Sequence, residues 1–200
     1  FDRTLVIVVG DHGEALGEHD EPTHGMLLYE PTMRVPFIVS CETLFDRAYK
    51  VTDRMVGLTD VRPTIEDLLG LKTGDVDGES LLSPGEEERA IYIETEMPLS
   101  LAGWSPLMGL RTHEHKYVSA PGPELYDLDE DPGEVHNLYG VRDALASELD
   151  ARLSLVLDSA RTAGGSVREL TDEERDRLSS LGYIHSLTSD SGGVRPDPKD

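Results

Sequence analysis

One apolar run limits the architecture before anything else is considered. Residues 5–9, Leu-Val-Ile-Val-Val, are uninterrupted by a polar side chain and mostly β-branched. Such a run predicts a strand covered on both faces, the habit of parallel sheets. It ends at Gly10, and Asp11, His12 and Gly13 follow. Open α/β sheets place their ligands just beyond the carboxyl ends of strands. The two glycines let the backbone turn sharply around the Asp-His pair, so both side chains are expected to face one crevice. A carboxylate oxygen and a neutral imidazole nitrogen can there fill two positions around a divalent metal. The same tripeptide also describes a polar strand end that bonds only to nearby backbone. The next loop tips the reading toward function. Residues 14–33 add Glu14, Glu18, Asp20 and Glu21, with His19 and His24, and long polar loops between buried strands are usually functional.

Charge excludes some partners. The 200 residues carry a formal net charge of −22, with 40 acidic against 18 basic side chains. A surface that acidic repels nucleic acid and anionic membranes. It also repels anionic esters unless a metal and local cations reverse the field at the site. Only four of the basic residues are lysine, a balance that fits a salt-adapted surface; on that reading stability should rise with added salt. No apolar stretch approaches 18 residues and no signal sequence is present, so no membrane span is expected in this portion. A single cysteine, Cys41, excludes an internal disulfide and leaves the redox compartment open.

Along the chain, residues 35–39 form a second core strand, and Val51 to Leu58 suggests a short one. Thr59 or Asp60 then offers an N-cap to a helix whose stripe is Val61, Ile65, Leu68 and Leu69 and whose stop is Gly70. Asp60 and Asp67 are read as capping and solvation. Residues 72–88 read as a polar linker. Ala90 to Glu94 is a strand, and Leu107–Arg111 pairs with Lys116–Ser119 as a hairpin around residues 112–115. His113 and His115 have the His-x-His form, but with no third ligand evident a plain turn is expected. Leu125 to Leu128 is a last strand, followed by an acidic turn at Pro132-Gly133; Asp127, Asp129 and Asp131 miss the offsets of a calcium loop. Residues 141–157 carry Leu145, Leu149, Leu153 and Val156 at helical spacing. Thr171 to Glu174 forms a capping box, and the composition beyond Tyr183 predicts disorder.

Several of these stretches share a likeness. Residues 10–19 read Gly-Asp-His-Gly-Glu-Ala-Leu-Gly-Glu-His, followed by His24-Gly25, by Leu28-Tyr29-Glu30 and by Arg34-Val35-Pro36-Phe37-Ile38-Val39. The set resembles the second half of a sulfatase catalytic domain, of the alkaline-phosphatase superfamily. The resemblance continues at residues 125–134 with Asn137-Leu138, and at residues 178–183. It implies an α/β fold: the C-terminal part of an alkaline-phosphatase-like α/β sandwich, 1–88, then a small antiparallel sheet with a covering helix, 89–162, then a polar tail, 163–200. It implies that Asp11 and His12 are metal ligands, usually for calcium, that His24 binds sulfate or assists the leaving oxygen, and that Arg34 is mainly structural.

The family's nucleophile, a formylglycine made from cysteine or serine in a Cys/Ser-x-Pro/Ala-x-Arg motif, has no counterpart here, and neither do its early acidic ligands. Cys41 lacks that motif and reads as a small, partly buried residue. The chain begins Phe-Asp-Arg-Thr and is read as the carboxyl-terminal portion of a longer enzyme, inactive alone. The implied activity is metal-dependent hydrolysis of a small-molecule or saccharide sulfate ester. A phosphodiesterase or phosphotransferase of the same superfamily and a catalytically dead binding module are the alternatives. Oligomeric state and location stay open; a periplasmic or secreted enzyme would follow if the missing amino terminus carries a signal peptide.

Overall fold

The computed structural model describes residues 4–43, 53–71, 74–82, 89–163, 171–180 and 195–199. Strand β1 (Val6–Val9) pairs antiparallel with β2 (Phe37–Ser40), Val6 opposite Ser40 and Val9 opposite Phe37. The long connection between them contains a 3-10 turn at Glu18–Asp20 and a one-turn helix, α1 (Glu30–Met33). Helix α2 (Val61–Leu68) follows. Strands β3 (Ile91–Thr95), β4 (Leu107–Arg111), β5 (His115–Ser119) and β6 (Glu124–Asp127) form an antiparallel sheet in chain order. Helix α3 (Met97–Ala102) lies between β3 and β4; α4 (Asp143–Ala163) and α5 (Asp172–Ser180) follow the sheet. Among the described residues no helix is long and apolar enough to cross a membrane.

The four-stranded sheet is buried on both faces, and sequence alternation decides which residue goes where. Leu110, Tyr117 and Leu125 face α4 and meet its Ala146, Leu149 and Leu153. Leu157, not Val156, continues that stripe, because spacings of 3, 4 and 4 from Ala146 keep to one side of the helix. Ile93, Leu107, Val118 and Tyr126 face the other way and pack on Leu27, Leu28 and Tyr29 from the β1–β2 connection. That connection therefore covers one face of the small sheet. Each fully buried leucine there contributes about 1.5–3 kcal/mol.

Four expectations change. The run at residues 5–9 forms a strand, but it is neither parallel nor doubly covered: Val6, Val8 and Val9 are exposed. The described residues give β1 one neighbour, β2. Residues 53–57 are not a strand. Phe45 and Tyr49 fall outside the described residues. Pro196 to Lys199 are not a free tail. The Ser105 N–H donates to the Pro196 carbonyl, the Gly122 N–H donates to Asp197 Oδ2, and the Lys199 ammonium donates to the Gly122 carbonyl. Hydrogen bonds to the loop before β4 and to the β5–β6 turn hold this segment where low apolar content predicted disorder.

The fourth change concerns Asp60. It does not cap α2 with its side chain. It is fully buried and chelates Arg89, with both N–O distances 2.6 Å, while accepting the Gly57 and Glu79 N–H groups at 2.8 Å. Burial pushes its carboxyl up, and the Arg89 guanidinium with the two N–H donors more than reverses this, leaving it below the ordinary range. Stability from such a group is present above its unfolded-state pKa and disappears as pH falls through the depressed folded value. Asp60→Asn should therefore be destabilised at pH 7 by about 3–5 kcal/mol, the cost of stranding a buried partner. Its stability should also fall less than that of the parent between pH 7 and pH 3. Urea titrations at both pH values check this; parallel losses would remove Asp60 from the acid response.

Candidate active site

The site is built where β1 ends. The Gly10 N–H donates to the Pro36 carbonyl, and the Gly13 N–H donates to the Thr32 carbonyl at 2.7 Å. Gly13 lies so close to α1 that an added Cβ would fall 2.1 Å from the Pro31 carbonyl oxygen. Glycine is thus required by close backbone approach, and the Asp-His pair is held against α1 rather than on a free loop.

Asp11 projects into solvent, its side chain 83% exposed. Its Oδ1 accepts the His12 N–H at 3.1 Å, and its Oδ2 lies 3.9 Å from His12 Nε2. Backbone N–H groups of Asp11 and His12, with help from the imidazole, hold its carboxyl below the usual range. His12 Nδ1 sits 2.9 Å from the Gly13 carbonyl oxygen. A carbonyl can only accept, so Nδ1 carries a proton, and in the neutral ring the lone pair is on Nε2, the nitrogen nearer Asp11.

The His24 ring stacks on the His12 ring, with centroids 3.9 Å apart and planes inclined by 23°. His24 Nδ1 faces Glu14, at 3.2 Å from Oε2 and 3.4 Å from Oε1. The structure therefore brings Asp11, His12 and His24 together and adds Glu14. Sequence reasoning counted Glu14 among the loop carboxylates without a role; its place immediately after Gly13 was the available signal. His19 goes elsewhere: its ring stacks on Tyr29 and its Nε2 meets the Gly133 carbonyl oxygen. Arg34 is exposed, and Cys41 is buried.

The remaining sequence candidates are structural. His113 lies in the β4–β5 turn, while His115 faces Asp127 and Arg142. Asp127 and Asp131 accept backbone N–H groups of their own turn. Among the described residues no group of three or more His, Cys, Asp or Glu side chains is arranged to hold a metal; the rim offers the pair Asp11 and His12.

A buried charge cluster beneath the site left no signature in the sequence patterns. Lys116 is fully buried on the face of β5 that meets the β1–β2 connection. Its ammonium donates to the Leu28 carbonyl at 2.9 Å and pairs with Glu30 at 2.9 Å and Glu134 at 2.8 Å. Glu134 also accepts the Glu30 N–H, and Arg111 pairs with Glu30 at 3.4 Å. Burial raises the Glu134 carboxyl despite Lys116. In Glu30 burial acts the same way, but Lys116 and Arg111 overcome it. The cluster fixes α1, and α1 holds Gly13.

With this geometry in view, comparison with known proteins is decisive. A family described as N-sulphoglucosamine sulphohydrolase, C-terminal, matches residues 17–162. The chain belongs to the sulfatases. This sulfatase chain is 28% identical over 188 residues to arylsulfatase K of Bos taurus, covering 86% of the chain and 34% of that relative. It is 27% identical over 171 residues to the delta 4,5-hexuronate-2-O-sulfatase of Bacteroides thetaiotaomicron, covering 78% and 34%. A solved structure in complex with its substrate, D-glucosamine-2-N,6-O-disulfate, superposes with a TM-score of 0.62 at 23% identity, covering 80% of the chain and 34% of that structure. The fold is thus that of the C-terminal part of a sulfatase, and the chain spans about a third of the length of the curated relatives it matches.

Proposed function

We propose that the complete protein hydrolyses a sulfate ester, with Asp11 and His12 supplying part of a divalent metal site, most simply for calcium. The observation that carries this reading is the convergence of Asp11, His12 and His24 at one strand end, the two imidazoles in contact at 3.9 Å. The donor set fits a cation. Asp11 offers a solvent-facing anionic oxygen, and the Nδ1 contact of His12 leaves Nε2 free to coordinate. A bound cation would stabilise negative charge on the transferring oxygens.

The rest falls to this chain's own side chains. Glu14 orients His24 by accepting from Nδ1. His24 Nε2 is then presented to the ester, where the ring binds a sulfate oxygen as a cation or gives a proton to the departing alkoxide. The nucleophile, a formylglycine in the resembled mechanism, and the other metal ligands belong to the part of the enzyme beyond these residues. The sulfated saccharide bound by the structural relative supports a saccharide sulfate as substrate. The test is direct. The 200-residue chain should show no arylsulfatase turnover and weak calcium binding by calorimetry. Robust turnover by this chain alone would overturn the division of labour.

A further inference from the structure

The backbone is tied down on both sides of His24. Before the ring, the Thr23 carbonyl accepts the Ala15 N–H at 2.7 Å. After it, the Met26 N–H donates to Glu21 Oε1 at 2.7 Å. Both ties lie within the loop itself. A third comes from the small sheet. The Thr95 hydroxyl donates to the carbonyl of Gly25, the residue next to His24 and 70 positions before Thr95.

Strand geometry puts that hydroxyl there. Thr95 is the last residue of β3, opposite Leu107. It stands two residues after Ile93 and so on the same face, the one that packs on Leu27, Leu28 and Tyr29. Its oxygen also accepts the Met97 N–H at 3.2 Å, which leaves the hydroxyl proton for Gly25. Met97 closes the contact from another side. Gly25 has φ +93°, and an added Cβ would lie 2.7 Å from the Met97 sulfur. The backbone just after His24 is therefore a left-handed turn that favours glycine, held between a hydroxyl and a thioether from the far end of β3.

We propose that Thr95 is a positioning residue for His24. By fixing the Gly25 carbonyl it sets where the ring sits, stacked on His12 at 3.9 Å with Nδ1 against Glu14. The inference rests on the reading of His24 as the group that meets the ester. On it, the small sheet serves the reaction as well as the fold.

Two measurements separate the inference from the reading beneath it. In the 200-residue chain, the ring current of His12 displaces the carbon-bound proton resonances of His24, and His12→Ala marks their unstacked position. Thr95→Val removes the hydroxyl and should move these resonances at least halfway to that mark. Thr95→Ala, which adds no second methyl against Gly25, should move them the same way. Thr95→Ser keeps the donor and should leave them in place. In the complete enzyme, Thr95→Val should lower turnover of a sulfate ester by about 10- to 100-fold, the scale of a misplacement near 1 Å, and Thr95→Ser should retain it. Resonances that stay put in both Thr95→Val and Thr95→Ala, or that move as far in Thr95→Ser, would overturn the role of the hydroxyl. Displaced resonances with undiminished turnover would instead overturn the reading of His24 at the ester, and the part of Thr95 in the reaction with it.

Discussion

Replacing Lys116 with methionine should destabilise the chain by about 3–5 kcal/mol, the cost of removing one partner from a buried ionic set. Methionine matches the length of the stem but not the ammonium. Glu30 keeps Arg111, whereas the fully buried Glu134 carboxylate loses the cation at 2.8 Å. Glu134 also holds a left-handed backbone at φ 53°, costly for a residue with a Cβ, and Lys116 is among the contacts that maintain it. The double change Lys116→Met with Glu134→Gln should recover much of the loss, since it removes the stranded charge and keeps the acceptor for the Glu30 N–H. Urea midpoints for the three variants decide the matter. A loss under about 1 kcal/mol in the single variant would mean that water enters and solvates Glu134.

On the metal role proposed for it, Asp11→Ala in the complete enzyme should lower metal occupancy and turnover together, by about 100-fold or more, the upper end of what even indirect supports of a metal site are worth. The side chain is largely exposed and its interactions among the described residues are local, to its own and the next N–H and to the His12 ring, so the folded structure should barely register its loss. Stability and metal affinity therefore separate here, unlike at Lys116. Thermal unfolding without metal should coincide for parent and variant, and a calcium titration should not. Unchanged occupancy would strike Asp11 from the ligand set.

What could be read from the residues alone follows a physical line. The four antiparallel strands and α4 were legible because alternation and 3.6-residue spacing are local signals, and each segment carried its own turn. Asp11, His12 and His24 were legible as a group through family motifs. Their meeting depends on Gly13 touching Pro31 and on two imidazoles stacking, contacts set by the tertiary fold. Lys116 was invisible for the opposite reason. In an alternating strand it reads as an ordinary solvent-facing lysine, and only the approach of residues 27–30 and 134 turns that face inward. Asp60 was read in part: it is the N-cap residue of α2, as expected, but its carboxylate goes to Arg89, 29 residues later, and not to the helix. The run at residues 5–9 signalled a strand correctly, but composition cannot say how many neighbours that strand finds.

Among the described residues the far flank of β1 has no paired strand, which has a practical meaning for the 200-residue chain on its own. Its outward N–H and C=O groups and exposed valines form an adhesive edge of the kind that recruits further strands. The many carboxylates elsewhere hold copies of the chain apart while their fields reach across the solvent. Added electrolyte shortens that reach to a few ångströms, so concentrated brine should be the condition under which this chain clumps.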